Sequence, residues 1–268
     1  MSNGNGPNNA VDDVTDDRAV LNVDDVVGTS AAATARTAGA VQPPGSAPTT
    51  APTAAVLSLG TRKDAAQWVG RCRQLGFGIA SNISKPRPTM NELQAFMGSS
   101  PTWIFIAGHF AAGRLYNEGN TVSLSFANSS VDAIVDDASR TFAKDNGFAL
   151  HRRSQVVLWG GCSVAGNSTY IRTMRSLFGN NHLLLGFDGV TGWKVVNTIL
   201  GGGNLKNDFF DRIGTSWFNL EHVRDAWMEA ANEWYGGGSL ESIFRAVDPD
   251  GQMWHISGGT IEKGAIIP

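Results

Sequence analysis

Residues 154–166 read S-Q-V-V-L-W-G-G-C-S-V-A-G. Val156 to Trp159 form an unbroken apolar run bounded by polar residues and glycines. Such a run predicts a strand buried on both faces, the state of a central strand in a parallel sheet. Open α/β sheets carry their chemistry just beyond the C-terminal ends of those strands. Cys162 stands at that place, and Gly160 and Gly161 leave room for backbone and substrate to approach it.

The preceding chain supplies the rest of the sheet. Ala54 to Leu59 is an apolar run that ends at Gly60, a first strand. Ala65, Trp68, Val69, Cys72 and Leu75 recur at helical spacing, so 63–75 predicts a helix stopped by Gly76. Phe77 to Ile83 is a second strand. Thr89 and Glu92 form a capping-box pair ahead of Met90, Leu93, Phe96 and Met97, an amphipathic helix. Trp103 to Ala107 is a third strand, closed by Gly108 and His109. This βαβαβ order is the signature of a parallel sheet with right-handed crossovers, hence an α/β fold.

Beyond it, 114–126 predicts a β-hairpin excursion and 131–145 a weakly patterned helix. After the Cys162 strand, 169–178 predicts a helix, Leu183 to Leu185 a buried strand, and 201–203 a glycine loop. Val223, Ala226, Trp227, Ala230 and Trp234 lie on one helical face, ended by Gly236 to Gly238. Met253 to Ile256 reads as a last strand.

Residues 1–54 differ in kind. No Phe, Trp or Tyr occurs before Trp68. The segment is acidic (Asp12, Asp13, Asp16, Asp17, Asp24, Asp25) and then rich in Ala, Thr and Pro. It cannot bury enough apolar surface to offset its ordering entropy and is expected to be a disordered tail. Residues 55–268 suit one domain with a sizeable core. With Arg18 and Arg36 the tail carries −4 of a net −3, so the body is +1. A near-neutral body argues against a nucleic-acid partner found by electrostatics. No apolar run has membrane-spanning length, and the N-terminus lacks the basic start and apolar middle of a signal peptide. Two cysteines, Cys72 and Cys162, make no disulfide framework, so a reducing, cytoplasmic setting is expected. Cys72 belongs to a helix's apolar face and reads as core. His151, His182 and His222 stand beside polar or turn residues and read as surface. There is no metal-ligand spacing and no phosphate-binding glycine motif, so no cofactor and no metal are expected.

Two buried strands therefore end in reactive groups, I-A-G-His109 and W-G-G-Cys162, and in a parallel sheet both end on one edge. A thiol of ordinary pKa is only slightly ionised at neutral pH; a neighbouring imidazole activates it and later protonates a leaving amine. The tetrahedral intermediate needs hydrogen-bond donors, for which the Cys162 N–H and the N–H of Phe110 are candidates.

The ordered motifs resemble the caspase-like cysteine peptidases: caspases, separases, gingipains, legumains and the bacterial CHAT proteins. I-A-G-H-F-A-A-G-R-L is similar to the separase and CHAT segment in which Gly-His-Gly precedes a hairpin. L-W-G-G-C-S-V-A-G resembles their L-x-G-C-S-x-G, and the 53-residue interval from His109 to Cys162 suits the group. L-L-L-G-F-D-G-V-T-G-W resembles the following strand, whose end lines the P1 pocket in that family, and 222–234 resembles the closing helix of CHAT-type proteins. The resemblance covers about 55–235. It implies a caspase-hemoglobinase-like three-layer sandwich with a mostly parallel central sheet, and a peptidase of protein or peptide substrates. His109 and Cys162 would be its catalytic pair, with Gly161 and Asp188 in substrate binding. The family usually has Gly after the histidine. Phe110 takes that place here; its N–H persists, but its ring either crowds the cleft or imposes another backbone course.

Two other functions remain open at the level of sequence. One is a caspase-like domain that binds without cleaving, favoured by Phe110. The other is a Cys hydrolase or amidotransferase in which Cys162 pairs with His255, which leaves the I-A-G-H segment without a role.

Overall fold

The structure is a computed structural model describing residues 51–60, 62–111, 114–117, 122–127, 130–135, 141–143, 154–160, 165–178, 181–188, 204–238, 240 and 243–268. The tail over 1–50 and the glycine loop over 201–203 lie outside the described residues.

The first half follows the βαβαβ reading: β1 (Thr53–Ser58), α1 (Arg62–Gln74), β2 (Gly78–Ser84), α2 (Met90–Gly98) and β3 (Trp103–Ala107). The first strand, expected over Ala54 to Leu59, is β1 at Thr53–Ser58. α2 opens with the anticipated capping box. The Thr89 hydroxyl accepts from the Glu92 N–H at 3.3 Å, and the Glu92 carboxylate accepts from the Thr89 N–H at 2.7 Å. Burial alone would raise the Glu92 carboxyl. Lys85 at 2.6 Å and the Thr89 donors outweigh it and hold the group below its ordinary 4.5. That contribution is present at neutral pH and is lost as falling pH protonates the carboxylate. Thr89→Ala is expected to cost about 1 kcal/mol, read as a lower urea midpoint at unchanged slope.

Next comes an antiparallel meander in strand order: β4 (His109–Ala111), β5 (Arg114–Tyr116), β6 (Val122–Ala127), β7 (Ser130–Val135) and β8 (Thr141–Ala143). The helix expected over 131–145 is thus incorrect. Val131, Ile134 and Val135 are β-branched residues that favour a pleated strand. β7 pairs along its length with β6, from Ala127 opposite Ser130 to Val122 opposite Val135. Propensity too weak to hold a helix yields to this pairing.

The second half contains β9 (Val156–Gly160), α3 (Ser168–Phe178), β10 (Leu183–Phe187), α4 (Asn204–Ile213) and α5 (Leu220–Tyr235). It ends in β11 (Phe244–Val247), β12 (Gln252–Ser257) and β13 (Thr260–Ile266). The main sheet runs β2-β1-β3-β9-β10-β11-β12-β13. The strands from β2 to β10 are parallel, and β11 to β13 extend them as an antiparallel edge. The chain is mixed α/β around a large, mostly parallel sheet.

Crossover handedness explains the layers. The path β1-α1-β2 moves one way along the sheet, whereas β2-α2-β3 and β9-α3-β10 move the other. Right-handed crossovers must then put α1 on one face and α2 with α3 on the opposite one. Burial follows that division. Trp68, Val69 and Cys72 of α1 pack with Phe105 and Leu158, joined by Phe209 of α4 and Trp227 of α5. Leu93 and Phe96 of α2 and Ile171 and Met174 of α3 pack against Leu57, Ile106 and Trp159 on the other face. Cys72 is core as expected, and burial pushes its thiol from 9.0 up to about 12. A thiol that stays neutral when folded opposes folding once the unfolded thiol ionises. Its effect on stability is therefore confined to pH above about 9, where it is destabilising.

His182 departs from its surface reading: it is buried at 1% exposure, because it enters β10 between two flanking strands. His222 is half-buried, its Nε2 3.0 Å from the Arg212 carbonyl at the end of α4. His151 lies outside the described residues.

Candidate active site

The registry of β3 against β9 sets the geometry. Trp103 pairs with Val156, and each following pair steps in parallel until Ala107 faces Gly160. All five residues of each strand are buried. The two strands thus end side by side, at the same level, on one edge of the sheet. His109 follows Ala107 by two residues and is half-buried. Gly161 and Cys162 follow Gly160 in sequence and lie outside the described residues.

Gly108 explains how the chain turns at this edge. A Cβ on Gly108 would lie 2.8 Å from the Tyr116 carbonyl oxygen and 2.8 Å from a Leu115 methyl. Only glycine lets β5 come so close. The chain then leaves the parallel sheet and starts the meander at His109, which pairs with Tyr116, while Phe110 pairs with Leu115.

Phe110 is buried at 7% exposure. Its ring meets Trp159 edge-on at 5.9 Å and Tyr170 edge-on at 5.3 Å. It joins the apolar layer beneath α2 and α3.

Asp188 follows β10 directly, and its N–H donates to the Ile243 carbonyl at 2.6 Å. Its carboxylate is engaged by Arg245, whose Nη2 donates to Oδ2 at 2.7 Å. The sequence reading passed over Arg245. The signal was the alternation in F-R-A-V, which turns an arginine to the face opposite Phe244 and Ala246. The other side of Asp188 rests on Gly166, where a Cβ would lie 2.8 Å from the Asp188 Cγ. The loop after β9 is also tied to β10 by the Ala165 N–H, 2.9 Å from the Phe187 carbonyl. Gly166→Ala is expected to expel the carboxylate and cost about 1–3 kcal/mol as an overpacked site. Gly70→Ala, in open space inside α1, is the control and should stabilise by about 0.5–1 kcal/mol. Urea denaturation of both variants checks the pair.

His255 lies elsewhere. It sits on β12 opposite Arg245 and Glu262, with its Nε2 3.7 Å from the Glu262 carboxylate. Two strands, β10 and β11, separate β12 from β9, which amounts to about 14 Å at ordinary strand spacing. His109 lies two residues beyond the end of β3, the strand beside β9, whereas His255 lies on β12.

Among the described residues, no group of three or more His, Cys, Asp or Glu could hold a metal ion. No helix among them is long and apolar enough to cross a membrane. No family model and no curated protein matches the chain.

Proposed function

We propose that this chain is a caspase-like cysteine endopeptidase with His109 and Cys162 as its catalytic pair. The observation that carries the reading is the parallel registry in which Ala107 faces Gly160. Each reactive residue stands two positions beyond its member of that pair, and two residues of extended chain reach no more than about 7 Å. This short reach from adjacent strand ends supports a site shared by the two groups.

In the reaction, the His109 imidazole takes the Cys162 proton. The thiolate sulfur then bonds to the peptide carbonyl carbon, and the π electrons move to oxygen. The Phe110 and Cys162 N–H groups are the donors proposed for that oxyanion. The imidazolium gives its proton to the amine as the C–N bond breaks, leaving a thioester. Water, deprotonated by the same imidazole, attacks the thioester carbon. The acid departs and the thiol is restored. Gly161 would admit the substrate backbone, and Asp188, held by Arg245, would flank the side-chain pocket. The proposed caspase-hemoglobinase-like topology is compatible with helices on both faces and an antiparallel edge.

The test is labelling with iodoacetamide or an acyloxymethyl ketone, with the adduct mapped by mass. Cys72, neutral until about pH 12, should stay unmodified in the folded protein. The expected result is one adduct on Cys162, absent from Cys162→Ala, and digestion of denatured casein by the wild type alone. An unlabelled Cys162 with no casein cleavage leaves the binding-domain reading in its place.

A further inference from the structure

We propose that Phe110 is a positioning residue for His109, doing through side-chain packing what a glycine at that place cannot do. The inference rests on the peptidase reading above.

The ring touches two parts of the proposed site. Trp159 is the penultimate residue of β9, three before Cys162. Tyr170 lies in the first turn of α3, the helix that follows Cys162. Phe110 meets both edge-on, at 81° and 87°. It thus joins the strand bearing His109, the strand leading to Cys162 and the helix leading away from it. On the other side of His109, the Tyr116 carbonyl closes over Gly108. The backbone at His109 is held from both neighbours.

Strand alternation turns adjacent side chains to opposite faces. With the Phe110 ring seated in the apolar layer, the His109 ring is turned away from that layer. The seat therefore decides which way the imidazole faces, and a rotation of β4 about its own axis would cost the ring its burial. Such control matters because a displacement of about 1 Å in a reacting group can cost about 100-fold in rate. A glycine at position 110 would have no ring to hold, and this chain contains at Trp159 and Tyr170 the two surfaces that receive one.

Iodoacetamide is the right probe, because alkylation needs the His109–Cys162 pairing but no oxyanion donor. It separates the ring's role from that of the Phe110 N–H. The Cys162 alkylation rate would be measured against pH for wild type, His109→Ala, Phe110→Ala, Phe110→Leu and Phe96→Leu. Phe96, fully buried on α2 in the same layer, controls for lost stability. In Phe110→Ala the rate at neutral pH should fall about 10-fold or more. Its apparent thiol pKa should rise toward the free value of about 8.5. Phe110→Leu should recover part of both, and Phe96→Leu should keep the wild-type profile despite a lower urea midpoint. A wild-type profile in folded Phe110→Ala overturns the inference. If that variant does not fold, a wild-type profile in Phe110→Leu overturns it equally. A wild-type rate that is unchanged in His109→Ala instead overturns the peptidase reading itself.

Discussion

If the proposed peptidase function holds, His109→Ala is expected to lower casein hydrolysis by about 10²–10⁴-fold, the usual contribution of a positioned acid–base group. In the proposed mechanism the imidazole would serve twice, drawing the proton from the thiol and returning one to the leaving amine. Without it the thiol has only its intrinsic ionisation, and the departing nitrogen must leave as a poor anion. The loss should be kinetic. His109 is half-buried at the end of the sheet, outside both apolar clusters, so the urea midpoint should move little. His255→Ala is the matched control. Its ring lies two strands beyond the neighbour of β9's edge, beside Glu262, and hydrolysis should stay within about twofold, the scatter expected of a residue outside the chemistry. A His255→Ala loss as large as that of His109→Ala would falsify the assignment of the base.

Trp227→Ala should produce the largest loss of stability, about 3–5 kcal/mol. That is a large part of the roughly 5–15 kcal/mol that holds a domain of this kind together. Trp227 is fully buried at 0% exposure. It meets Phe209 of α4 at 5.5 Å, Phe187 of β10 at 5.8 Å and Phe244 of β11 at 5.9 Å, all near edge-to-face. Its indole N–H donates to the Arg245 carbonyl at 3.2 Å. One side chain therefore fills the space where two helices meet the junction of parallel and antiparallel strands. Truncation leaves a cavity bounded by rigid aromatic rings that cannot collapse into it, and leaves the Arg245 carbonyl without this donor. Trp227→Phe, which keeps most of the volume, should lose clearly less. Urea denaturation followed by circular dichroism measures both, and a loss below about 1 kcal/mol for Trp227→Ala would contradict the packing argument.

What was legible in the sequence was what local chemistry enforces. The apolar runs at Trp103 to Ala107 and Val156 to Trp159 are strands because continuous hydrophobicity is stable only when both faces are covered. Thr89 and Glu92 cap α2 because the two groups need only each other, three residues apart. The buried face of α5 followed from the spacing of Val223, Ala226, Trp227 and Ala230. The misreadings share the opposite character. β7 looked helical because its identity comes from pairing with β6. β11 and β13 carry little local signal of their own because each is defined by a neighbour across the antiparallel edge. His182 looked exposed because its polar neighbours in sequence are not its neighbours in space.

The sequence by itself determined the buried runs Trp103 to Ala107 and Val156 to Trp159, with His109 and Cys162 shortly after them and helices between strands to force a parallel sheet. Only the tertiary structure decided that β3 and β9 are neighbours in register, with the whole β4–β8 meander looped out between them. It also decided that Phe110 packs on Trp159 and Tyr170, and that Asp188 is already paired with Arg245. The physical reason is range. Periodicity and capping act within a few residues and are written into the local sequence. Strand adjacency, ring packing and ion pairing join residues tens of positions apart, and each is selected by the burial of the whole sheet.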